Sequence, residues 1–312
     1  MDDSPEDLPG LLVGDTPVAE NEGLDWPLRF LAPRLSRFHR ERLPTDALGV
    51  GVDCLKGAEA RELFACGFLP IRSWTVRTES CRRALIDLGV DSGRIALGAD
   101  WAWLYRPFAE RASWAESVWS VLGIDPRRPL LVSNVVNMVW KDDHVKDSIA
   151  GAFDVLHRDL SLQIAFFCNE TRPGDFFDYE AARDIQRRMR EPSVIVPHEY
   201  YSPDEALALL RAATVTVGQR YHFAVETILA GSVPVCIVRG RKMTGLVEEL
   251  GLPVAGRIES VDTDVLIDCV KQVLANREAW RARLQCERQR MRERASHNLD
   301  LIGRMPPYRG LV

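Results

Sequence analysis

The segment at residues 214–238 constrains the fold of this chain more than any other. Residues 214–217 are β-branched or apolar, Gly218 permits a tight turn, and a short amphipathic helix follows until Gly231. Residues 233–238 form a second apolar run of strand length. Because two strands joined by a crossover helix run parallel, the segment predicts one βαβ unit of an α/β protein.

Apolar runs alternate with helical patterns along the rest of the chain in the same way. This alternation predicts two Rossmann-like α/β units of parallel strands and a long C-terminal helix that is solvated or bridges the domains. Further strands are predicted at residues 11–16, 47–52, 71–76, 95–97, 130–136, 162–168 and 193–196. Further helices are predicted at residues 58–65, 78–88, 143–159, 179–190, 203–212 and 264–298.

The chain has 312 residues, enough for two domains of ordinary size. We expect an N-terminal Rossmann-like domain at residues 1–106, an interdomain linker at 107–128 that contains two prolines, and a C-terminal Rossmann-like domain at 129–312. Doubly wound sheets bind ligands outside the carboxyl ends of their strands, so residues that follow a strand are the candidate ligand contacts.

The charge balance and the cysteine pattern exclude several classes of protein. A net charge of −5, with dispersed Lys and Arg residues, argues against a nucleic-acid-binding surface. No apolar run reaches the length of a transmembrane helix, and the acidic N-terminus lacks the basic and apolar regions of a signal peptide. Seven scattered cysteines without a CxxC pair predict reduced thiols in the cytoplasm, with neither a disulfide framework nor a metal site.

Cationic side chains follow three of the predicted strands. Arg77 follows 71–76, Arg220 follows 214–217, and 233–238 is followed by three more cations, Arg239, Arg241 and Lys242. In an acidic chain this placement favours an anionic substrate over ordinary solvated loop charges, since a guanidinium binds a carboxylate or phosphate through two N–H groups.

His222 and Glu226 are four residues apart on the helix that follows Arg220, so they share a face. Glu226 would fix the tautomer of His222 and raise its pKa, which suits an acid–base pair. The competing interpretation is a helix-capping histidine beside a solvated glutamate. Arg220 at the start of the same helix favours the catalytic interpretation, because helix N-termini already attract anions.

Several polar residues in loops also follow predicted strands. Each is a candidate ligand contact, although loops are polar by default. These residues are Asp100, Glu170, Asp175, His198 and Glu199. The chain has no Walker loop, no GxGxxG dinucleotide fingerprint and no GxSxG nucleophile elbow, which argues against a P-loop ATPase, an ordinary Rossmann dehydrogenase and an α/β-hydrolase.

At these residues the chain resembles the polysaccharide pyruvyl transferase family. Three ordered segments between residues 47 and 255 carry the resemblance. They are TVRTES at 75–80 with LGV at 88–90 and GAD at 98–100; PDEAL at 203–207 leading into GQRYHF at 218–223; and AGSVP at 230–234 followed by Lys242.

The resemblance implies a glycosyltransferase-B-like fold and transfer of a pyruvyl group from phosphoenolpyruvate to two hydroxyls of a glycan or lipid-linked sugar. The products would be a pyruvate ketal and phosphate, as in biosynthesis of cell-envelope polysaccharides, with no tightly bound cofactor. By resemblance, Arg77 and Arg220 hold the donor's anionic groups, Lys242 contacts its phosphate, and His222 is the acid–base group. Such chemistry needs cationic forks and a proton donor.

The chain departs from that family in two places. The family's Gly-Asn-x-Gly-Asp turn after a first strand is absent, which predicts a shortened N-terminal domain lacking one or two βα units on the acceptor side. Gln219 stands where Ser or Asn is common before the arginine.

Two other functions are consistent with the same residues. The first is a nucleotide-sugar-dependent glycosyltransferase of the same architecture, because Glu226, followed by Gly-Ser-Val-Pro at 231–234, resembles the acidic helix residue that contacts a nucleotide sugar's ribose in such enzymes. The second is a non-catalytic protein that binds a carbohydrate or a partner. Arg220 and His222 together favour pyruvyl transfer, since a nucleotide-sugar site does not need both.

Overall fold

A computed structural model of the chain describes residues 10–20, 25–136, 143–171 and 178–304. The chain forms two compact units. The first comprises Met1–Tyr105 and Gln289–Val312, and the second comprises Arg106–Arg288. None of the described helices is long and apolar enough to span a membrane.

The described part of the first unit contains a four-stranded parallel sheet in the order β1-β2-β3-β4. Its buried core includes the rings of Phe64, Phe68 and Trp74. The strands are β1 (Gly10–Val13), β2 (Thr45–Val50), β3 (Ser73–Val76) and β4 (Ile95–Leu97). The helices are α1 (Phe30–Arg40), α2 (Ala58–Gly67) and α3 (Glu79–Asp87). Thr78 caps α3 by accepting a hydrogen bond from the backbone N–H of Cys81.

The second unit contains a parallel sheet whose described strands follow the order β10-β9-β8-β5-β6-β7. Its strands are β5 (Leu130–Asn134), β6 (Gln163–Phe166), β7 (Ser193–Ile195), β8 (Val215–Gly218), β9 (Pro234–Val238) and β10 (Val254–Arg257). The strand order reverses beside β5, which pairs with both β6 and β8. That reversal is the topological switch point at which open α/β sheets bind ligands.

Helices connect the strands of the second unit. They are α4 (Ala112–Val121), α5 (Asp143–Leu160), α6 (Asp178–Arg188), α7 (Pro203–Arg211), α8 (Tyr221–Ala230), α9 (Gly240–Leu250) and α10 (Thr263–Ala275). The last helix, α11 (Arg277–Arg304), begins in the second unit and ends in the first.

The segment 107–128, expected to be a linker, is part of the second unit. Its helix α4 buries Ala115 and Trp119 in that unit's core. The Asp204 carboxylate of α7 also accepts hydrogen bonds from the backbone N–H groups of Phe108 and Ala109, at 3.1 Å each. Because apolar side chains of 107–128 are buried there, the chain divides between Tyr105 and Arg106 instead.

The expected single helix over 264–298 is two helices. Asn276 caps the end of α10, and α11 starts at the next residue. Of the two expected settings for this region, solvated or bridging the domains, the structure supports the second, because α11 runs from the second unit into the first and buries Leu284, Met291 and Ala295.

Candidate functional site

Polar side chains gather at the carboxyl edge of the second sheet. Asn134 ends β5, Asn169 lies in the loop after β6, Arg220 follows β8 and Arg239 follows β9. Since these strands are parallel and adjacent, their carboxyl ends meet at one edge. The edge includes the switch point beside β5, so it is the expected ligand-binding position of this unit.

Asp178, in the first turn of α6, connects these groups. Its carboxylate is 1% exposed and accepts hydrogen bonds from Nε and Nη2 of Arg220 at 2.6–2.9 Å. Nδ2 of Asn134 donates at 2.8 Å, and the backbone N–H groups of Asn169 and Glu170 donate at 3.0 and 3.2 Å. These donors satisfy the hydrogen-bonding capacity of a buried carboxylate, and the carboxylate fixes the direction of the Arg220 side chain.

Arg220 is the N-cap residue of α8 and keeps part of its guanidinium available to a ligand. Asp178 occupies Nε and Nη2, whereas Nη1 has no hydrogen-bond partner among the described residues. Arg239 is the N-cap of α9, and burial together with the nearby charge of Arg220 lowers its pKa. An anionic ligand would offset the repulsion between the two guanidinium groups.

Glu226 lies two turns into α8, next to the loop after β6. It is partly buried, and its Oε2 accepts a hydrogen bond from Nδ2 of Asn169 at 2.7 Å. Burial raises the pKa of Glu226, while the Asn169 hydrogen bond and the charge of His222 act in the opposite direction. The interpretation of Glu226 as a solvated surface charge is therefore wrong. Asn169 is thus a partner of Glu226 that the sequence analysis did not anticipate. The pairing of Glu226 with His222 stays a prediction.

A cavity of about 230 Å³ opens beside Glu226. Phe167, Tyr200 and Tyr201 contribute aromatic surface to it, and Asn169 and Glu226 contribute polar atoms. The rings of Phe167 and Tyr201 are 5.7 Å apart, so this wall is packed before any ligand arrives. The cavity is smaller than the roughly 300–1,000 Å³ of sites for drug-sized ligands, so it suits one moiety of a larger ligand.

Cys168 also lines the cavity, and its thiol is buried. Burial, and then the charge of Asp178, raises the pKa of its thiol to about 12, so the thiol stays protonated at neutral pH. Among the described residues, no group of three or more His, Cys, Asp and Glu side chains is arranged to hold a metal ion.

The predicted loop residues have different surroundings. Glu199 is exposed and lines the cavity. His198 stacks on Tyr179 with ring centroids 4.8 Å apart, and its Nε2 lies 3.0 Å from the carbonyl oxygen of Glu170. His198 and the Glu170 backbone therefore brace the loops around the cavity, while Asp175 lies outside the described residues.

Arg77 and Asp100 lie in the first unit, whereas Arg220 belongs to the second. Each is 4% exposed, and Nε of Arg77 is 2.8 Å from Oδ2 of Asp100. The same Nε donates to the carbonyl oxygen of Gly49 at 3.0 Å. The two predicted ligand contacts are thus paired with each other at the carboxyl edge of the first sheet, and an incoming anion would have to compete with Asp100.

Arg241 and Lys242 lie in the first turn of α9, directly after Arg239. Cations at a helix N-terminus are opposed by the positive end of the helix dipole, so a bound anion would stabilise this turn. Their placement beside Arg239 is consistent with the predicted anionic ligand.

Sequence reasoning missed Asp178, Asn134 and the role of Asn169. Asn134 lies inside the predicted strand 130–136, and Asp178 directly precedes the predicted helix 179–190, which is a common position for a helix-capping carboxylate. Both signals are local, whereas their joint action depends on loops that are more than 40 residues apart in the chain.

No protein-family model matches this sequence, and no curated protein matches it. Solved structures do match. The Anabaena protein HepE, solved with UDP and glucose, has a TM-score of 0.60 and 11% identity over 88% of this chain and 75% of that chain. A putative UDP-N-acetylglucosamine 2-epimerase from Listeria monocytogenes has a TM-score of 0.63 and 12% identity over 94% of this chain and 73% of that chain.

The glycotransferase of kitacinnamycin is also similar, with a TM-score of 0.52 and 15% identity over 88% of this chain and 73% of that chain. None of these three is a pyruvyl transferase by name. At such identities the likeness concerns the fold alone. It shows that the chain has the glycosyltransferase-B fold expected above, with two Rossmann-like halves and a long C-terminal helix.

Proposed function

We propose that this chain is a nucleotide-sugar-dependent glycosyltransferase and that its second unit binds the nucleotide sugar. The observation that carries the proposal is the partly buried Glu226 carboxylate, which lines an aromatic cavity at the edge of the sheet where Arg220 and Arg239 also lie. Neighbours of the same fold include HepE, whose solved complex contains UDP and glucose.

Each part of such a ligand has a suitable group in the site. Ribose hydroxyls would donate hydrogen bonds to Glu226, and the base would contact the rings of Tyr200 and Tyr201. The diphosphate would accept from Nη1 of Arg220 and from the backbone N–H groups at the start of α8. The cavity volume of about 230 Å³ fits this division, because the phosphates and the sugar would lie outside it.

Glu226 makes ligand binding dependent on pH. Because burial raises its pKa, the neutral form of Glu226 persists to higher pH in the unliganded protein than that of an exposed glutamate. Two hydroxyl donors stabilise the ionised carboxylate, so binding should lower that pKa and strengthen as pH rises through it.

Pyruvyl transfer from phosphoenolpyruvate is the second candidate. The observation in its favour is the proximity of Arg220 and Arg239, together with the exposed His222 in the first turn of α8. Two guanidinium groups suit a donor with a carboxylate and a phosphate, and His222 would protonate its methylene carbon. In this candidate Glu226 contacts no ligand, and Arg77 would have to leave Asp100 to bind an anion.

Calorimetric titration with UDP-glucose, UDP-N-acetylglucosamine, GDP-mannose and phosphoenolpyruvate separates the two candidates. We expect a UDP-sugar to bind the wild-type chain. Glu226→Gln should weaken that binding roughly 10- to 100-fold, because a hydrogen bond to a charged group is lost. Glu248→Gln, on the exposed surface of α9, makes the same change of charge away from the cavity and should leave the affinity unchanged.

Phosphoenolpyruvate gives the contrasting result. If it alone binds, and does so equally well in Glu226→Gln but less tightly in Arg220→Lys, the chain is a pyruvyl transferase and the nucleotide-sugar proposal is wrong. Absence of binding by every one of these ligands would contradict both candidates.

A further inference from the structure

Helix α1 and the turn before it present an aromatic and basic surface to solvent. Trp26 is 50% exposed and Phe30 is 44% exposed, with their ring centroids 5.2 Å apart. Arg34 follows one turn later, and its guanidinium lies 3.6 Å above the Phe30 ring. We call Trp26, Phe30, Arg34, Arg40 and Arg42 the α1 surface.

The orientation of α1 follows from its opposite face. Leu28, Ala32 and Leu35 are buried in the core of the first unit, where α1 packs on α2. Because residues three and four apart on a helix share a face, the burial of Ala32 and Leu35 directs Phe30 and Arg34 outward. Trp26 lies in the non-helical turn before α1 and contacts the Phe30 ring from there. The exposed parts of the two aromatic rings thus take no part in that core, and covering them with another apolar surface would be favourable.

The charge of this segment is opposite to that of the whole chain. Residues 25–43 contain five arginines and two acids, a net charge of +3, whereas the chain carries −5. Arg29 pairs with Glu59 at 2.8 Å and Arg37 pairs with Glu41 at 2.8 Å. Arg34, Arg40 and Arg42 are exposed and form no salt bridge with a described residue, so they carry most of the positive charge of this segment.

We propose that the α1 surface docks on an anionic lipid bilayer. Trp and Phe side chains partition to the boundary between headgroups and acyl chains, and arginines next to them contact lipid phosphates while their methylene stems cover apolar surface. The acidic remainder of the chain is repelled by such a bilayer, so the charge asymmetry also sets the orientation of docking. This proposal uses no residue of the candidate active site and holds for either candidate function.

Vesicle co-sedimentation of the full chain tests the proposal. We expect binding to vesicles of 70% phosphatidylcholine and 30% phosphatidylglycerol, and little binding to pure phosphatidylcholine. Raising the salt concentration from 50 to 300 mM should release the protein, because exposed charges are screened. The triple variant Arg34→Gln, Arg40→Gln, Arg42→Gln should lower the partition coefficient on anionic vesicles roughly 100-fold.

The double variant Trp26→Ala, Phe30→Ala should lower that partition coefficient at least about tenfold. Phe108→Ala removes an almost fully exposed ring from the second unit and is the matched control that should bind normally. Thermal unfolding of each variant establishes that the fold is retained. The proposal is overturned if the wild-type protein does not bind anionic vesicles at 50 mM salt. It is also overturned if the folded variants bind these vesicles as well as wild type does, or if the α1 surface binds only an acidic protein and no vesicle.

Discussion

Glu226 is a carboxyl group that the fold keeps partly away from water. Burial raises its pKa above the ordinary value of 4.5, although Asn169 donates a hydrogen bond to it and His222 lies near it. When the pKa of a carboxyl group is higher in the folded state than in the unfolded state, the protonated form of that group stabilises the folded state. Its contribution to stability is therefore complete below pH 4.5 and is lost as pH rises through the folded-state pKa.

Glu226→Gln should change the pH dependence of stability. Glutamine has the same shape and does not ionise, so the variant should gain free energy of unfolding relative to wild type as pH rises from about 4.5 toward neutrality. Urea denaturation at a series of pH values measures the difference. Parallel stability profiles for the two proteins would show that the folded-state pKa of Glu226 is not raised.

Helix α7 connects local sequence to the shape of the cavity. Ser202 and Glu205 form a capping box, in which the Ser202 backbone N–H donates to Glu205 at 2.9 Å, and Pro203 occupies the first turn. The helix buries Leu207, Leu209 and Leu210, while Pro203 and Ala206 line the cavity at its N-terminal end. The cap thus determines where α7 begins and with it one wall of the cavity.

Ser202→Ala removes the side-chain part of this cap and should lower the free energy of unfolding by about 1 kcal/mol. Ser117→Ala is the control, because Ser117 lies on the exposed side of α4 and caps no helix N-terminus. The midpoints of urea denaturation at pH 7 measure both changes. Equal stability of the Ser202 variant and wild type would mean that solvent replaces the cap at no cost.

At the scale of the whole molecule, the C-terminal segment completes the first unit. Asn298 is fully buried; its Nδ2 donates to the carbonyl oxygen of Ala99 at 3.0 Å, and its Oδ1 accepts from Oγ1 of Thr75 at 2.5 Å. Nη2 of Arg294 donates to the carbonyl oxygen of Arg77 at 3.2 Å. Polar groups at the carboxyl edge of the first sheet therefore find their hydrogen-bond partners in residues about 200 positions later in the chain.

Asn298→Ala should destabilise the protein by about 1–3 kcal/mol, because the buried carbonyl group of Ala99 and the hydroxyl group of Thr75 lose their partner. Gln289→Ala, at an exposed position of the same helix, is the control and should change stability by less than about 0.5 kcal/mol. Calorimetric unfolding measures both variants. A neutral Asn298 variant would show that water enters and replaces the side chain.

Much of the α/β fold follows from local patterns. The βαβ segment at 214–238 is confirmed by β8, α8 and β9, and Gly231 ends α8 with a φ of 84° as its position predicts. Gly218 was expected to permit a tight turn, but the structure requires glycine at this position for a steric reason. It ends β8, and a Cβ there would lie 2.3 Å from the Phe223 ring. A steric requirement of this kind depends on the packed helix and is invisible in local sequence.

The candidate site was only partly predictable. Arg220, His222 and Glu226 belong to one strand–helix connection, so their closeness follows from helix geometry. The partners Asp178, Asn134 and Asn169 come from other connections, and the sheet order that unites them leaves no signature in any single segment. Arg77 illustrates the reverse case, since its position after a strand predicts ligand contact and the structure pairs it with Asp100. Its role in binding stays a prediction.

The sequence by itself determined the α/β class, the parallel strands and the placement of cations and acids at strand ends, because hydrophobic periodicity and capping act over a few residues. Only the tertiary structure decided that Asp178 holds Arg220, that Asn169 holds Glu226, that 107–128 belongs to the second unit and that α11 reaches the first. Those outcomes depend on which buried polar groups and apolar faces meet across long sequence separations. A buried polar group must find its hydrogen-bond partner inside the protein, and the completed fold determines which partner lies within reach.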